Sequence, residues 1–277
     1  MKFGFTSQTS DQGVAQQFFL LDPSGDHPEH PDRSDGAIPG VLWTPEGASG
    51  PRPLVLLGHG GGQSKLFPGV PARARRLVGE CGFAVAAIDA PGHGDRTPTA
   101  EYERILAPFR AAMAAGRPIG AHVADMNAAM ARWTVPEWQA TLDALRKLDH
   151  VGSGPVGYWG MSLGAAIGIP LAAVEPRITA CVFGLAGAAL TVPASRITAP
   201  IEFLVQWDDE LVPRDGALAL FDAFASTEKT LHANPGLHAQ VPRFEVDSTV
   251  RFFARHFGAT ATETGAATAT TPEPPGR

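Results

Sequence analysis

Residues 160–164 read Gly-Met-Ser-Leu-Gly, the G-x-S-x-G spacing of a nucleophilic serine held on a sharp turn. The motif directly follows the apolar run PVGYW and directly precedes an apolar helical segment. A strand that turns at once into a helix strains the residue at the corner, and the flanking glycines leave room for the close approach. The pattern therefore predicts that the Ser162 hydroxyl is exposed above a strand end. The alternative is a Gly-rich turn in which Ser162 only caps the helix.

A serine hydroxyl is a weak nucleophile near neutral pH, so Ser162 needs a base within hydrogen-bond reach. Three downstream histidines are candidates for that base. His232 lies inside the apolar run TLHA, where a core or surface position is expected, and His256 lies among phenylalanines of a helical pattern. His238 differs from both, because it lies in the turn-rich sequence NPGLHAQVP.

Two further segments follow apolar runs and carry groups that such a site requires. The run FLVQW is followed by Asp208 and Asp209, either of which can hold the base, and by Glu210, which we expect to be solvated. The run PLVLL is followed by residues 58–62, GHGGG, whose glycines allow backbone amides to face a negatively charged intermediate. A phosphate-binding loop is excluded, because GHGGGQSK has its serine before its lysine.

The elements that would position these residues alternate between strand and helix. Apolar runs typical of buried strands lie at 53–58, 83–89, 155–160, 178–184 and 199–207, and helical patterns at 70–81, 137–148, 163–174, 216–225 and 244–257. This alternation predicts an α/β fold with a mostly parallel central sheet and helices on both faces. Ligands of such sheets bind at the carboxyl ends of the strands. Upstream, runs at 16–21 and 37–43 predict an antiparallel hairpin joined by the polar residues 22–36.

The serine motif and these segments together resemble the α/β-hydrolase fold, from about residue 54 to residue 257. Members of that fold carry a catalytic triad in the order Ser, Asp or Glu, His. The resemblance implies Ser162 as the nucleophile and His238 as the base, because the family places its histidine in the loop after the last strand. It implies Asp209 as the acid, since residues 209–213 fit the family's form of an Asp followed by Val-Pro. Asp208 takes that role if the register differs by one.

The loop at residues 58–62 is similar to the family's His-Gly oxyanion loop. The resemblance implies that the backbone amides of Gly61 and Leu163 form the oxyanion hole. It also implies that His59 orients the loop and transfers no proton.

A metal site is a competing interpretation, because His59, His93 and Asp95 all fall in loops at strand ends. Residues 89–94, DAPGHG, are more similar to a loop that shapes the site in α/β-hydrolases. We therefore expect no metal and no cofactor.

Residues 96–136 interrupt the alternation and predict a helical insertion over the site. Its apolar side chains suit the lining of a substrate pocket, although each can equally be core; they are Phe109, Met113, Met126, Met130 and Trp133. We expect residues 1–257 to form one α/β-hydrolase domain that includes this insertion. Residues 258–277 have the composition of a disordered tail.

The composition limits the partners. Of 277 residues, 22 are Lys or Arg and 28 are Asp or Glu, a net charge of −6 that argues against nucleic acid and anionic membranes. Cys81 and Cys181 make no disulfide framework, and the N-terminus and the stretch 180–193 predict neither a leader nor a membrane span. We expect a cytoplasmic protein whose partner is a small-molecule ester, with a homodimer possible.

The resemblance implies a serine hydrolase that cleaves carboxylic esters through an acyl-enzyme. Amidase, thioesterase, lactonase, perhydrolase and C–C bond hydrolase activities use similar triads and stay open. The dienelactone-hydrolase-like branch shares the early His-Gly-Gly loop but often has Cys at the position of Ser162, so a lactone is less favoured. An acyltransferase, or a non-catalytic homologue that binds a small ligand, is also compatible with the fold; the filled triad positions favour an enzyme.

Overall fold

The computed structural model describes residues 1–23 and 36–258, which contain nine strands in one sheet. The strands are β1 (Lys2–Asp11), β2 (Val14–Asp22), β3 (Ile38–Pro45), β4 (Leu54–Gly58), β5 (Ala84–Ile88), β6 (Val156–Met161), β7 (Ile178–Gly184), β8 (Ile201–Gln206) and β9 (Lys229–Asn234). The helices are α1 (Gly69–Cys81), α2 (Ala100–Ala114), α3 (Gly120–Leu145), α4 (Leu163–Val174), α5 (Thr191–Ala194), α6 (Arg214–Ala223) and α7 (Phe244–Phe257). The predicted tail after Gly258 and most of the predicted polar loop at 22–36 lie outside the described residues.

The sheet has the strand order β1-β2-β3-β5-β4-β6-β7-β8-β9. From β5 to β9 all neighbouring strands are parallel, while β1, β2 and β3 are antiparallel additions at one side. The predicted α/β fold, its mostly parallel sheet and the hairpin of β2 with β3 are therefore confirmed. The sequence analysis missed β1, because this edge strand is exposed almost throughout and has no buried face to produce an apolar pattern.

Helices cover both faces of the sheet and create two apolar cores. Along β4, Leu54 and Leu56 belong to the core that contains α3 and α4 residues, whereas Val55 and Leu57 belong to the core that contains α1 and α7 residues. This alternation follows from the two-residue period of a strand. Burial on both faces explains why the central strands read as continuous apolar runs.

The segment predicted as an insertion forms α2 and the first part of α3. Its predicted end at Pro136 falls inside α3, a helix of 26 residues, although proline lacks the N–H of a helical hydrogen bond. The buried face of α3 continues across this point from Trp133 to Trp138 and Leu142 and packs with α4 in one apolar core, so tertiary packing outweighs the local effect of the proline. Among the described residues, no helix has both the length and the apolar character that crossing a membrane requires.

Three glycines allow α4 to approach β4 and β6 at backbone distance. A Cβ built on Gly164 would lie 2.7 Å from the carbonyl oxygen of Gly58, and one built on Gly160 would lie 2.5 Å from the backbone of Gly164. Tyr158 closes the contact by donating a hydrogen bond of 2.9 Å from its hydroxyl to the Gly164 carbonyl. The outer glycines of G-x-S-x-G are therefore required by packing.

Gly164→Ala is expected to lower the free energy of unfolding by about 1–3 kcal/mol, because the added methyl group meets backbone atoms that cannot rotate away. Gly79→Ala is the matched control. Gly79 is exposed in α1 and a Cβ there meets no atom within 4 Å, so this variant should gain about 0.5–1 kcal/mol. Urea unfolding of both variants measures the difference, and an equal effect in both would contradict the packing argument.

Candidate active site

Ser162 occupies the corner between β6 and α4. Its backbone has φ 55° and ψ −118°, a positive-φ conformation that costs a non-glycine residue energy. The Ser162 N–H donates to the carbonyl of Gly184 in β7 at 3.0 Å, which fixes the corner to the neighbouring strand. Ser162 makes no side-chain cap hydrogen bond to α4, so the helix-cap alternative is wrong.

His238 lies between the serine and an aspartate. Its Nε2 is 2.9 Å from Ser162 Oγ, and its Nδ1 is 2.8 Å and 3.0 Å from the two carboxylate oxygens of Asp209. A carboxylate can only accept a hydrogen bond, so the Nδ1 that faces Asp209 carries the ring proton. The other nitrogen, Nε2, therefore accepts the hydrogen bond of the serine hydroxyl. The three side chains come from loops after β6, β8 and β9, whose carboxyl ends lie at one rim of the sheet.

The two adjacent aspartates have different surroundings. The Asp209 carboxylate is 3% exposed, and its Oδ1 accepts the N–H groups of Leu211 at 2.8 Å and Val212 at 2.9 Å. The Asp208 side chain is 61% exposed and lies 3.9 Å from Arg214. Asp209 is therefore the aspartate that faces His238.

Three residues near this site were missed by the sequence analysis. Glu210, expected to be solvated, is exposed but accepts the His238 N–H at 2.9 Å, and this bond holds the pKa of the Glu210 carboxyl below its usual value. Gln206 donates from Nε2 to the Leu237 carbonyl at 3.2 Å and so fixes the same loop. Leu185 has φ 56° directly after β7. Proximity to the Asp pair was the one available signal for Glu210 and Gln206; nothing in the sequence marks Leu185.

The loop after β4 brings Gly61 beside the start of α4. A Cβ built on Gly61 would lie 4.0 Å from Leu163 Cβ, so the two predicted donor residues are neighbours. The Leu163 N–H is in the first turn of α4, where helix geometry provides no acceptor. The Gly60 N–H already donates to Gln63 Oε1 at 3.0 Å, so Gly60 stabilises the loop beside the two predicted donors.

Both ring nitrogens of His59 are engaged by backbone groups. Nε2 accepts the Ala90 N–H at 3.1 Å, so Nδ1 carries the proton and donates to the Gly60 carbonyl at 2.9 Å. Burial lowers the pKa of His59 to about 4, since the charged ring would lose its hydration. His59 therefore links the loop after β4 to the loop after β5 as a neutral side chain.

A buried ion pair joins the same two loops. Lys65 is 2% exposed, its Nζ lies 2.5 Å from Asp89 and 2.5 Å from Asp95, and its N–H donates to Asp89 at 2.8 Å. Of the groups considered as metal ligands, Asp95 is thus paired with Lys65, and His93 Nδ1 contacts the carbonyl of Pro91 at 3.0 Å. Lys65 serves as an internal counter-charge to the two aspartates.

The other two candidate histidines lie in different surroundings. His232 Nδ1 is 2.7 Å from Glu245, and the His256 ring lies 4.5 Å from that of Phe252. Of the three histidines, His238 is the one within hydrogen-bond distance of Ser162.

The residues predicted to line a pocket are spread over α2 and α3. Met130 and Trp133 are buried core residues, 1% and 6% exposed, Met126 packs against the same core, Phe109 is half-buried, and Met113 is 54% exposed. Their contribution to a substrate pocket stays a prediction. A groove of about 460 Å³ lies elsewhere on the rim, and its walls include Phe19, Pro39, Lys65 and Arg96.

Comparison with known proteins gave a match to the family model described as alpha/beta hydrolase fold, over residues 53–250. A cold-adapted esterase from an Arctic intertidal metagenomic library, solved as a PEG-bound complex, is 33% identical, with a TM-score of 0.71 over 93% of this chain and 100% of that one. An acetyl xylan esterase from Paenibacillus sp. R4 is 16% identical, with a TM-score of 0.65 over 92% of this chain and 88% of the other, a likeness of fold alone.

A curated relative is the 2,6-dihydropseudooxynicotine hydrolase of Paenarthrobacter nicotinovorans. It is 29% identical over 145 residues, which are 52% of this chain. The chain spans only 31% of the length of that relative.

Neutral, buried His59 should make the protein less stable in acid. The folded-state pKa of about 4 lies below the ordinary 6.5, so the unfolded chain binds the proton first and stability is lost as the pH falls between these values. From about pH 7 to about pH 4, the wild type should lose about 3 kcal/mol of unfolding free energy more than His59→Gln. Urea unfolding of both proteins across this pH range measures the difference. Equal losses of unfolding free energy in the two proteins would contradict a neutral, buried His59.

Proposed function

The chain belongs to the alpha/beta hydrolase fold family, and from this premise we propose that it is a carboxylesterase-like hydrolase that cleaves carboxylic esters by a Ser162–His238–Asp209 triad. One observation carries the proposal. A continuous series of hydrogen bonds runs from the Asp209 carboxylate through the His238 ring to Ser162 Oγ, with distances of 2.8 Å and 2.9 Å. Nucleophile, base and orienting acid at such distances are what acyl transfer requires.

The first step forms the covalent bond to the substrate. Ser162 Oγ attacks the carbonyl carbon of the ester while its proton passes to His238 Nε2. The Asp209 carboxylate stabilises the imidazolium that results and holds the ring in the tautomer that the step needs. Burial of Asp209 at 3% exposure supports this role, because water competes little for the carboxylate oxygens.

The tetrahedral intermediate carries its negative charge on the former carbonyl oxygen. The amides of Gly61 and Leu163 are the proposed donors to it, and the first-turn position of Leu163 in α4 adds the positive end of the helix dipole. The imidazolium of His238 then donates its proton to the alcohol oxygen. The C–O bond breaks, the alcohol leaves, and the acyl group stays on Ser162.

Water completes the cycle. His238 takes a proton from a water molecule, whose oxygen attacks the acyl carbon, and a second tetrahedral intermediate uses the same amide donors. His238 returns the proton to Ser162 Oγ as the carboxylic acid leaves. The triad is thereby restored without a metal ion or cofactor in any step.

Esters are the proposed substrate class because they are the least demanding substrates for this chemistry and because a 33%-identical neighbour is an esterase. A panel of esters, lactones, amides and thioesters with graded acyl lengths tests the class. The proposal expects the highest kcat/KM with an ester. A higher value for a lactone, amide or thioester would overturn the ester assignment while leaving the triad in place.

Ser162→Ala should lower kcat for a short p-nitrophenyl ester by roughly 10⁴-fold or more, since the nucleophile is removed. The same change should abolish covalent labelling by a fluorophosphonate, read by intact mass. Ser7→Ala, on exposed β1, is the matched control and should keep both properties. A wild-type protein that neither hydrolyses any ester of the panel nor takes up the label would favour a non-catalytic binder.

Asp209→Asn should reduce kcat by about 10³–10⁴-fold, because an amide at this position favours the wrong tautomer of His238. Asp208→Asn should stay within a few-fold of the wild type, as its carboxylate is exposed. Steady-state kinetics on one ester compares the two variants. Small and equal losses would refute Asp209 as the triad acid.

A further inference from the structure

A second cluster of acid and imidazole groups lies where β8, β9 and α7 meet. It consists of Glu202 in β8, His232 in β9 and Glu245 in the first turn of α7. His232 Nδ1 is 2.7 Å from Glu245 Oε2, and His232 Nε2 is 3.9 Å from Glu202 Oε2. One potential ligand atom from each residue lies within 4.8 Å of the others. None of the three belongs to the proposed triad.

In the described part of the chain, no basic side chain accompanies the two carboxyl groups of this cluster. Both glutamate side chains are 5% exposed, and within the described ranges their ion-pair partner is His232, with no Lys or Arg at salt-bridge distance. The cluster therefore places two carboxyl groups and one imidazole within a few ångströms of one another, with no basic side chain of the described residues beside them. A positive ion bound between the two carboxyl groups would compensate the charge of their ionised form in this buried place.

Neutral groups around the cluster hold the carboxylates in place. Ser248 and Thr249 donate their hydroxyls to Glu202 at 2.8 Å and 2.9 Å, and Asn234 donates its amide to Glu245 at 2.9 Å. Such donors, one step outside the ligands, orient carboxylates in protein metal sites. The His232 side chain is 23% exposed, which provides a path for an ion from solvent.

We propose that Glu202, His232 and Glu245 bind one divalent transition-metal ion of the zinc type. One imidazole nitrogen and two carboxylate oxygens are ligands that zinc takes, and the nitrogen disfavours Ca²⁺ and Mg²⁺, which prefer oxygen. A dication compensates the charge of the two carboxylates. Water from the exposed side of His232 supplies the remaining position. This site differs from the His59, His93 and Asp95 set considered in the sequence.

The position of the cluster gives the ion a structural role. His232 lies in β9 and Glu245 in α7, and the loop between these two elements carries His238. An ion bound to both would fix the two ends of that loop relative to each other. The inference does not depend on ester hydrolysis, because it concerns binding at a separate cluster.

Isothermal titration calorimetry of the chelator-treated full chain with ZnCl₂ tests the proposal. We expect one zinc per chain and a rise in Tm on addition of zinc. His232→Asn should weaken zinc binding at least about tenfold, whereas His238→Asn, the matched histidine change at the triad, should leave it intact. Glu202→Gln is the second variant, because its amide oxygen can accept one of the two hydroxyl bonds and its NH2 group can donate to the other hydroxyl oxygen. Circular dichroism verifies the fold.

Two results would overturn the proposal. One is the absence of stoichiometric zinc binding to the wild type. The other is stoichiometric binding that persists unweakened in both His232→Asn and Glu202→Gln; its loss in His238→Asn would then assign the zinc to the triad. Anomalous diffraction from a zinc-soaked crystal gives an independent readout, with the peak expected at the His232 ring and contradicting the inference if it lies elsewhere.

Discussion

The close packing of Gly160, Gly164 and Gly58 is the constraint on which the rest of the site depends. Side chains at these positions would push α4 away from β4 and β6, and the chain could no longer turn within one residue. That turn forces Ser162 into its positive-φ conformation and raises its hydroxyl above the rim. It also places the first N–H groups of α4 beside the loop after β4. The packing of these three glycines thus determines the position of the Ser162 hydroxyl that His238 contacts.

Much of this architecture is readable in the sequence where local and tertiary preferences agree. The predicted helices at 163–174 and 244–257 have the observed bounds of α4 and α7, and the buried central strands appear as apolar runs. The side chains of Ser162, His238 and Asp209 lie within hydrogen-bond distance in series. The signal for them was the turn residues around His238 and the strand ends before Ser162 and Asp209, because ligands of such sheets bind at the carboxyl ends of the strands.

What the sequence did not reveal depends on contacts between distant segments. β1 has no apolar face, and α3 passes Pro136 because its buried face continues beyond it. Glu210 contacts the His238 backbone 28 positions along the chain, and no local pattern indicates this bond. The same holds for the buried pair of Lys65 with Asp89, for which removing one partner typically costs about 3–5 kcal/mol. Such pairs fix how the rim loops lie against each other, a property of the folded state.

The positive-φ conformation of Ser162 also limits how the protein can be redesigned. A β-branched residue is strongly disfavoured at positive φ, so threonine, which offers the same hydroxyl, does not fit this corner. Cysteine is unbranched at Cβ and meets the same steric demands as serine. Directed evolution toward a different attacking atom at position 162 is therefore open to sulfur and closed to a secondary alcohol.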